Sequence, residues 1–157
     1  MQLKASTDYG MRAILYLAAQ GTTCSSKDIA EDMSIPRDYL IQLAQLLRNA
    51  GIIEARPGKH GGYRLAKDPA DPNVLENLEA LDEDAKQSTR AKRDARKGGA
   101  MVQDIKQAYD LIEESMDAYL ASLTVQMLLD CARNAEDSRA ILAERLQDES
   151  RRLIDAK

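Results

Sequence analysis

Residues 25 to 65 constrain the fold most, because two closely spaced helix signals are followed by two short strand-like runs. Ser25 and Asp28, three residues apart, form a capping-box pair in which the serine oxygen accepts from a first-turn amide. This short helix is ended by Ser34-Ile35-Pro36, since the residue before a proline avoids the helical conformation and proline itself suits the first turn of the next helix. The pattern predicts a tight helix-to-helix corner.

The second helix of this stretch has one apolar side and one polar side. Its apolar residues recur at spacings of three and four, which predicts a single buried face. They are Leu40, Leu43, Leu47 and Ala50. The polar residues on the opposite side can hydrogen-bond to base edges in a DNA major groove. They are Arg37, Asp38, Gln42 and Gln45.

Two strand-like runs, residues 52–55 and 63–65, follow this helix and predict a β-wing. A glycine-rich segment, residues 57–62, joins them. The glycines permit positive φ angles and a close approach to a phosphate backbone, and nearby cations can contact phosphates. These cations are Arg56, Lys59 and Arg64. A corner and a hairpin can occur in any small helical domain, but a wing directly after the second helix favours DNA binding.

Charge is divided unevenly along the chain. The whole sequence has a formal charge of −4, which argues mildly against nucleic acid. Residues 1–67 hold nine Lys or Arg and six Asp or Glu, a charge of +3, whereas the remainder holds thirteen and twenty, a charge of −7. The DNA-binding interpretation therefore depends on a locally basic first half. Phe and Trp are absent, which argues against the aromatic platforms that bind single strands.

Short motifs in the first 65 residues carry a family resemblance. They are Leu3 with Thr7-Asp8-Tyr9-Gly10-Met11-Arg12-Ala13, Asp28-Ile29-Ala30, Ile35-Pro36 with Tyr39-Leu40, Leu46-Leu47 with Ala50-Gly51, and Pro57-Gly58 with Gly61-Gly62-Tyr63-Arg64-Leu65. With these motifs the chain resembles the Rrf-type family of bacterial winged-helix regulators, closely over residues 1 to about 81 and only generally over 100–129. The resemblance implies a cytoplasmic dimer that binds palindromic promoter DNA.

Ser6 and Thr7 are candidate caps for a first helix that runs to about Gln20. The resemblance suggests that its N-terminus lies on a phosphate, which the helix dipole would favour. A scaffold helix beneath the helix-turn-helix is an equally supported alternative. The complete set of expected DNA contacts is Thr7, Tyr9, Arg12, Ser26, Arg37, Asp38, Tyr39, Gln42, Gln45, Arg56, Lys59, His60 and Gly61.

From residue 101 onward, an apolar residue recurs every three or four positions. The members are Met101, Ile105, Ala108, Ile112, Met116, Tyr119 and Leu123. This spacing, held over more than three heptads, predicts the seam of a long helix that packs on a partner helix. In so small a chain the expected partner is the same helix of a second copy. A symmetric dimer would present two recognition helices to a palindrome.

These features predict a mainly α fold with a small β-wing, divided into four segments. Residues 1–67 form a winged helix-turn-helix DNA-binding domain. Residues 68–99 form a connector, a short helix that Asn73 caps with Glu76 three residues on, and a mobile charged loop. Residues 100–129 form a dimerisation helix, and residues 130–157 form a helical extension of unassigned role. The cations of the charged loop could touch DNA, although a solvated charge run is the commoner explanation.

The expected sensor is missing from the sequence. Many members of the resembled family hold an iron-sulfur cluster through three closely spaced cysteines before the long helix, but residues 82–99 contain no cysteine. Such a cluster needs several thiolates, and the chain has only Cys24 and Cys131, far apart in sequence. The resemblance is therefore to the cluster-free branch, and we expect no cofactor and no metal site. His60, the only histidine, is expected to be an exposed wing residue.

Cys24 allows two interpretations. It directly precedes the Ser25 cap, where a helix N-terminus could lower the thiol pKa and create a redox-active group. The alternative is an ordinary loop cysteine. Cys131 follows an apolar run and is expected to be buried.

The sequence shows no phosphate loop, nucleophile elbow or histidine placed as a base, so an enzyme is not expected. It has no apolar run long enough to span a bilayer, which predicts a soluble, cytoplasmic protein. We therefore predict a homodimeric repressor that binds a palindromic promoter element and responds to an unidentified small-molecule or protein effector. One alternative is a protein-interaction module that regulates a metabolic enzyme or another regulator. A second is a repressor switched by the Cys24 thiol.

Overall fold

The computed structural model describes residues 4–71, 73–82 and 100–155, with the side chains of 100–102 and 135–137 excepted. The elements in chain order are α1 (Ala5–Gln20), α2 (Ser26–Asp32), α3 (Arg37–Asn49), β1 (Ile53–Arg56), β2 (Gly62–Leu65), α4 (Val74–Leu81), α5 (Ala100–Ser122), α6 (Val125–Arg133) and α7 (Ala135–Asp155). This arrangement confirms the mainly α class with a small β-wing. The charged segment 83–99, expected to be a mobile loop, lies outside the described residues.

The helix-to-helix corner forms where the sequence predicts it. Ser25 Oγ accepts from the amide of Asp28 at 3.1 Å and so caps α2. Ser34 adopts a positive φ of 53°, which turns the chain between the two helices. Pro36 lies one residue earlier than expected, at the N-cap of α3, and Arg37 begins the helix.

The core lies between α1 and α3. Ile14 of α1 and Leu43 of α3 are completely buried, and burying each such side chain stabilises the fold by roughly 1.5–3 kcal/mol. Ala50, expected in the buried face, is exposed at the C-terminal end of α3, because the helix ends there. Ala44 is buried instead.

The β-wing is anchored by a contact that the sequence did not indicate. β1 and β2 pair antiparallel, with Ile53 opposite Leu65. On the other side of β2, the Cys24 amide donates to the Tyr63 carbonyl at 2.9 Å, and the Cys24 carbonyl accepts from the Tyr63 amide at 2.8 Å. The loop before α2 therefore acts as a third, one-residue strand. A single paired residue leaves no periodic pattern in a sequence.

α4 joins the winged helix to the C-terminal helices. Asn73 Oδ1 accepts from the Glu76 amide at 2.9 Å, which confirms the predicted cap. Leu81, near the end of α4, is completely buried and lies directly against Gly10 of α1. At the other end of α4, the Val74 amide donates to the carbonyl of Leu123, the residue after α5, at 2.8 Å.

The long helix is shorter than the predicted range of residues 100–129. α5 ends at Ser122, and Thr124 Oγ1 accepts from the Met127 amide at 3.2 Å to cap a separate helix, α6. The expected continuation from 124 to 129 is therefore wrong, because the extended backbone of Thr124 interrupts the helix. α7 packs on both α5 and α6. In the ranges that the structure describes, no helix has the length and apolarity needed to cross a membrane.

Candidate nucleic-acid interface

The outer face of α3 has exposed polar side chains. Within the described part of the chain, three of them make no hydrogen bond or ion pair: Arg37, Asp38 and Gln42. Gln45 differs, because its Nε2 donates to Asn49 Oδ1 at 2.9 Å and its Oε1 accepts from Arg48 at 2.9 Å. These contacts hold Gln45 along its own helix. Of the four predicted polar residues, three are thus available to a ligand.

Tyr9, Arg12 and Tyr39 form a cluster that joins the N-terminal halves of α1 and α3. The two tyrosine rings meet edge to face with their centroids 5.9 Å apart, a contact worth about 0.5–1.5 kcal/mol. The Arg12 guanidinium lies 5.4 Å from the Tyr9 centroid and pairs with Asp8 at 2.6 Å. Its Nη1 also donates to the Met33 carbonyl at 3.4 Å. The fold thus brings three predicted DNA contacts together, but Asp8 offsets the charge of Arg12.

The N-cap of α1 lies two to three residues earlier than predicted. The helix begins at Ala5 with Lys4 as its N-cap, and no side chain accepts a hydrogen bond there. Ser6 and Thr7, the predicted caps, lie inside the first turn, where Ser6 is buried and Thr7 is half-buried. Ser26, another predicted contact, is half-buried at the start of α2.

The tip of the wing is a tight turn that presents Lys59 and His60. The Gly61 amide donates to the Gly58 carbonyl at 2.9 Å, so Lys59 and His60 are the two central residues of the turn, and both are exposed. A Cβ on Gly61 would lie 2.2 Å from the Arg56 carbonyl oxygen. Gly61 is therefore required by the turn itself.

The cations of the wing differ in their availability. Arg56 and Lys59 are exposed and have no ion-pair partner among the described residues. Arg64 instead forms an ion pair with Glu54 across the two strands. Because binding to a phosphate backbone depends on cations that are free to displace counterions, Arg56 and Lys59 are the stronger candidates.

Cys24 is buried beneath the wing, with 9% of its surface exposed. Burial raises the pKa of its thiol above the ordinary value, and the Asp28 carboxylate raises it further. Of the two interpretations of Cys24, the raised pKa favours the ordinary cysteine over a thiol activated by the start of α2, because burial disfavours the charged thiolate. Cys131, expected to be buried, is half-buried.

We expect Cys24 to be alkylated by iodoacetamide about tenfold more slowly in the folded protein than in the urea-unfolded chain at pH 8. Its raised pKa leaves little thiolate at that pH, and burial hinders access. Because the folded state disfavours the thiolate, the free energy of unfolding is highest below the ordinary thiol pKa of 9.0. It falls as the pH rises through the higher pKa of the folded state. Peptide mass spectrometry measures the rates. Equal rates in the two states would contradict the raised pKa.

α5 exposes an apolar stripe, defined here by Ile105, Ile112 and Met116. Their exposed fractions are 48%, 55% and 47%. Tyr109, at 64%, lies beside them at helical spacing. Tyr109 is not among the residues predicted for the seam, which include its neighbour Ala108, and Ala108 is also exposed.

Only part of the predicted seam is exposed. Tyr119 is half-buried, and its hydroxyl donates to the Leu142 carbonyl of α7 at 3.3 Å. Leu123 is buried within its own chain, so it is not available to a partner helix. The side chain of Met101 lies outside the described residues.

The corner of α2 and α3, the wing beside it and their unpaired cations define a winged-helix DNA-binding protein of the transcription regulator class. The chain belongs to the Rrf2 family, described as iron-dependent transcriptional regulators, whose model matches residues 3–131. It is 32% identical over 144 residues to the HTH-type transcriptional regulator NsrR of Bacillus subtilis (strain 168), an alignment covering 90% of this chain and 97% of the relative. These relatives are regulators and not enzymes, as the sequence predicted.

Solved structures show the same architecture. The IscR protein of T. potens superposes with a TM-score of 0.68 at 27% identity, covering 86% of this chain and 90% of that one. The oxidized form of Staphylococcus aureus CymR superposes with a TM-score of 0.62 at 26% identity, covering 82% and 96%. The resemblance seen in the sequence is thus confirmed.

The family description raises the question of iron, and the donor residues of this chain do not fit a thiolate-held cluster. The sequence contains two cysteines and one histidine. Cys24 is buried beneath the wing, whereas Cys131 lies on α6. Among the residues with described side chains, no group of three or more His, Cys, Asp or Glu is placed to hold a metal ion. Clusters of this type need more thiolates than the chain has.

Proposed function

We propose that this protein is a homodimeric, cytoplasmic repressor that binds a palindromic promoter element and lacks a conventional iron-sulfur cluster. Its dimer interface is the apolar stripe of α5, and its DNA contacts come from α3 and the wing. An effector of unassigned chemistry, a small molecule or a protein, controls it. Family membership supports DNA binding, and the geometry supports the finer assignments that follow.

The apolar stripe carries the proposal. Large apolar side chains at spacings of seven and four along one helix are typical of a surface that packs on another helix. Burying each one is worth roughly 1.5–3 kcal/mol, and a two-fold symmetric contact would bury the stripe from both chains. A symmetric dimer also explains how one short recognition helix per chain can specify a site of useful length.

The proposed DNA contacts divide into two roles. Arg37, Asp38 and Gln42 enter the major groove and read base edges, with Tyr39 held behind them by Tyr9. The others position the protein on phosphates and in the minor groove. They are Thr7, Arg12, Ser26, Arg56, Lys59, His60 and Gly61. Gln45 contributes only if its contacts with Arg48 and Asn49 break on binding.

Ile112→Glu tests the dimer. The new carboxylates would lie in the centre of the apolar interface, and burying such charges is costly. We expect a monomer in sedimentation equilibrium at micromolar protein, together with loss of sequence-specific DNA binding. Gln107→Glu places the same charge on an exposed residue on the opposite side of α5 and should remain dimeric. An Ile112→Glu protein that stays dimeric and binds DNA normally would overturn the assignment of the stripe.

Salt dependence tests the division of roles on DNA. Lys59→Ala should weaken binding to every duplex and flatten the slope of log K against log salt by about one unit, since one phosphate contact is lost. Gln42→Ala should instead change the preferred sequence. Arg151→Ala, which removes a cation from the exposed surface of α7, is the matched control and should leave the slope unchanged. Equal losses on all sequences for Lys59→Ala and Gln42→Ala would refute the division.

Repression itself requires a transcription assay. We expect the wild-type protein to lower run-off transcription from a template carrying its own upstream DNA, at the concentrations that occupy the operator. A rise in transcript at the same occupancy would identify an activator instead.

A further inference from the structure

One apolar side chain on α3 is not used by the core. Ile41 is 44% exposed, whereas Leu40, Leu43 and Leu47 are almost completely buried. Single exposed apolar residues are common on protein surfaces and usually need no explanation. Ile41 is different because of the face on which it lies.

Ile41 lies beside the polar residues that face outward on the recognition helix. Arg37 and Asp38 precede it by about one helical turn, Gln45 follows it by one turn, and Gln42 is the next residue. Arg37, Asp38 and Gln42 have no side-chain partner among the described residues. A protein partner that covered Ile41 would also have to satisfy these polar groups. A DNA major groove supplies both hydrogen-bonding base edges and apolar groups.

We propose that Ile41 contacts the C5-methyl group of a thymine in each half-site and so helps to determine sequence specificity. Thymine is the only unmodified base that presents a methyl group in the major groove. Removing this methyl from water against the branched side chain would favour thymine over cytosine or uracil at that position. The inference rests on the proposed function, because it requires α3 to enter the groove.

The test begins with a duplex that the wild-type protein selects from a randomised DNA pool. The thymines of one half-site are then replaced by uracil one at a time, and each replacement removes only the methyl group. At one position we expect uracil to weaken wild-type binding about fourfold, equivalent to the ~0.8 kcal/mol of one buried methyl-sized group. Ile41→Ala should bind the thymine and uracil duplexes equally. Ile41→Val, which retains a branched methyl surface, should keep part of the preference.

Two controls make the outcomes distinct. Ile154→Ala makes the same substitution at an exposed isoleucine of α7 and should retain the fourfold preference. Because Ile41 is partly exposed and alanine favours helices, Ile41→Ala should keep the wild-type urea midpoint. If no sequence is enriched from the pool, the proposed function itself fails. If a sequence is bound specifically but uracil has no effect, or has the same effect on Ile41→Ala, only the thymine contact is overturned.

Discussion

Replacing Gly62 with alanine should lower the free energy of unfolding by about 2–4 kcal/mol and detach the wing from the loop before α2. Gly62 has a φ of 152°, and a Cβ there would lie 2.0 Å from the Cys24 carbonyl oxygen and 2.6 Å from its carbon. These are backbone atoms, so no side-chain rotation relieves the overlap. The chain must separate, which breaks the two Cys24–Tyr63 hydrogen bonds.

Urea denaturation measures this loss, and Gly58→Ala is the matched control. Gly58 also has a positive φ, 110°, but a Cβ there would meet nothing within 4 Å. Only the strain of the positive φ remains, and we expect Gly58→Ala to lower the free energy of unfolding by about 1 kcal/mol. DNA binding should fall much further for Gly62→Ala than for Gly58→Ala, because the first moves the whole wing. Equal destabilisation of the two variants would show that the contact with Cys24 is unimportant.

Leu81→Ala should lower the free energy of unfolding by about 2–5 kcal/mol, since it removes a completely buried side chain and leaves a cavity between α4 and α1. Gly10→Ala should also destabilise the fold, because its Cβ would lie 2.4 Å from both Leu81 methyl carbons. This overlap should outweigh the roughly 1 kcal/mol by which alanine favours a helix interior over glycine.

The double variant decides whether the two residues interact as described. With alanine at both positions, the new methyl of residue 10 occupies part of the cavity left by Leu81. We therefore expect a destabilisation smaller than the sum of the single variants by about 1–3 kcal/mol, measured by urea unfolding. Pairing Leu81→Ala with Gly21→Ala, where a Cβ meets nothing within 4 Å, should give additive effects. Additivity in both pairs would mean that α4 does not pack tightly on Gly10.

The features predicted correctly from the sequence are those set by residues close together in the chain. Ser25 with Asp28 and Asn73 with Glu76 each define a cap through a contact three residues apart. Such a pair can be recognised wherever the chain folds locally. Thr124 was a similar signal, but it was missed because the apolar spacing of α5 continues into α6.

Contacts between distant segments were not predictable in this way. The bridge from Cys24 to Tyr63 and the packing of Leu81 on Gly10 depend on how the elements meet, for which the sequence has no local pattern. The same holds for the candidate site. Its residue types were predicted, but only the structure shows that Arg64 is paired with Glu54 and that Gln45 is held on its helix.

A footprint shows whether the protein binds a palindromic operator as a symmetric dimer. The purified, reduced protein is bound at physiological salt to the DNA upstream of its own gene and probed with hydroxyl radicals. We expect two protected half-sites related by two-fold symmetry, with centres about one helical turn or a small multiple apart. A single unsymmetrical protected region, or uniform protection at concentrations that saturate non-specific binding, would contradict it.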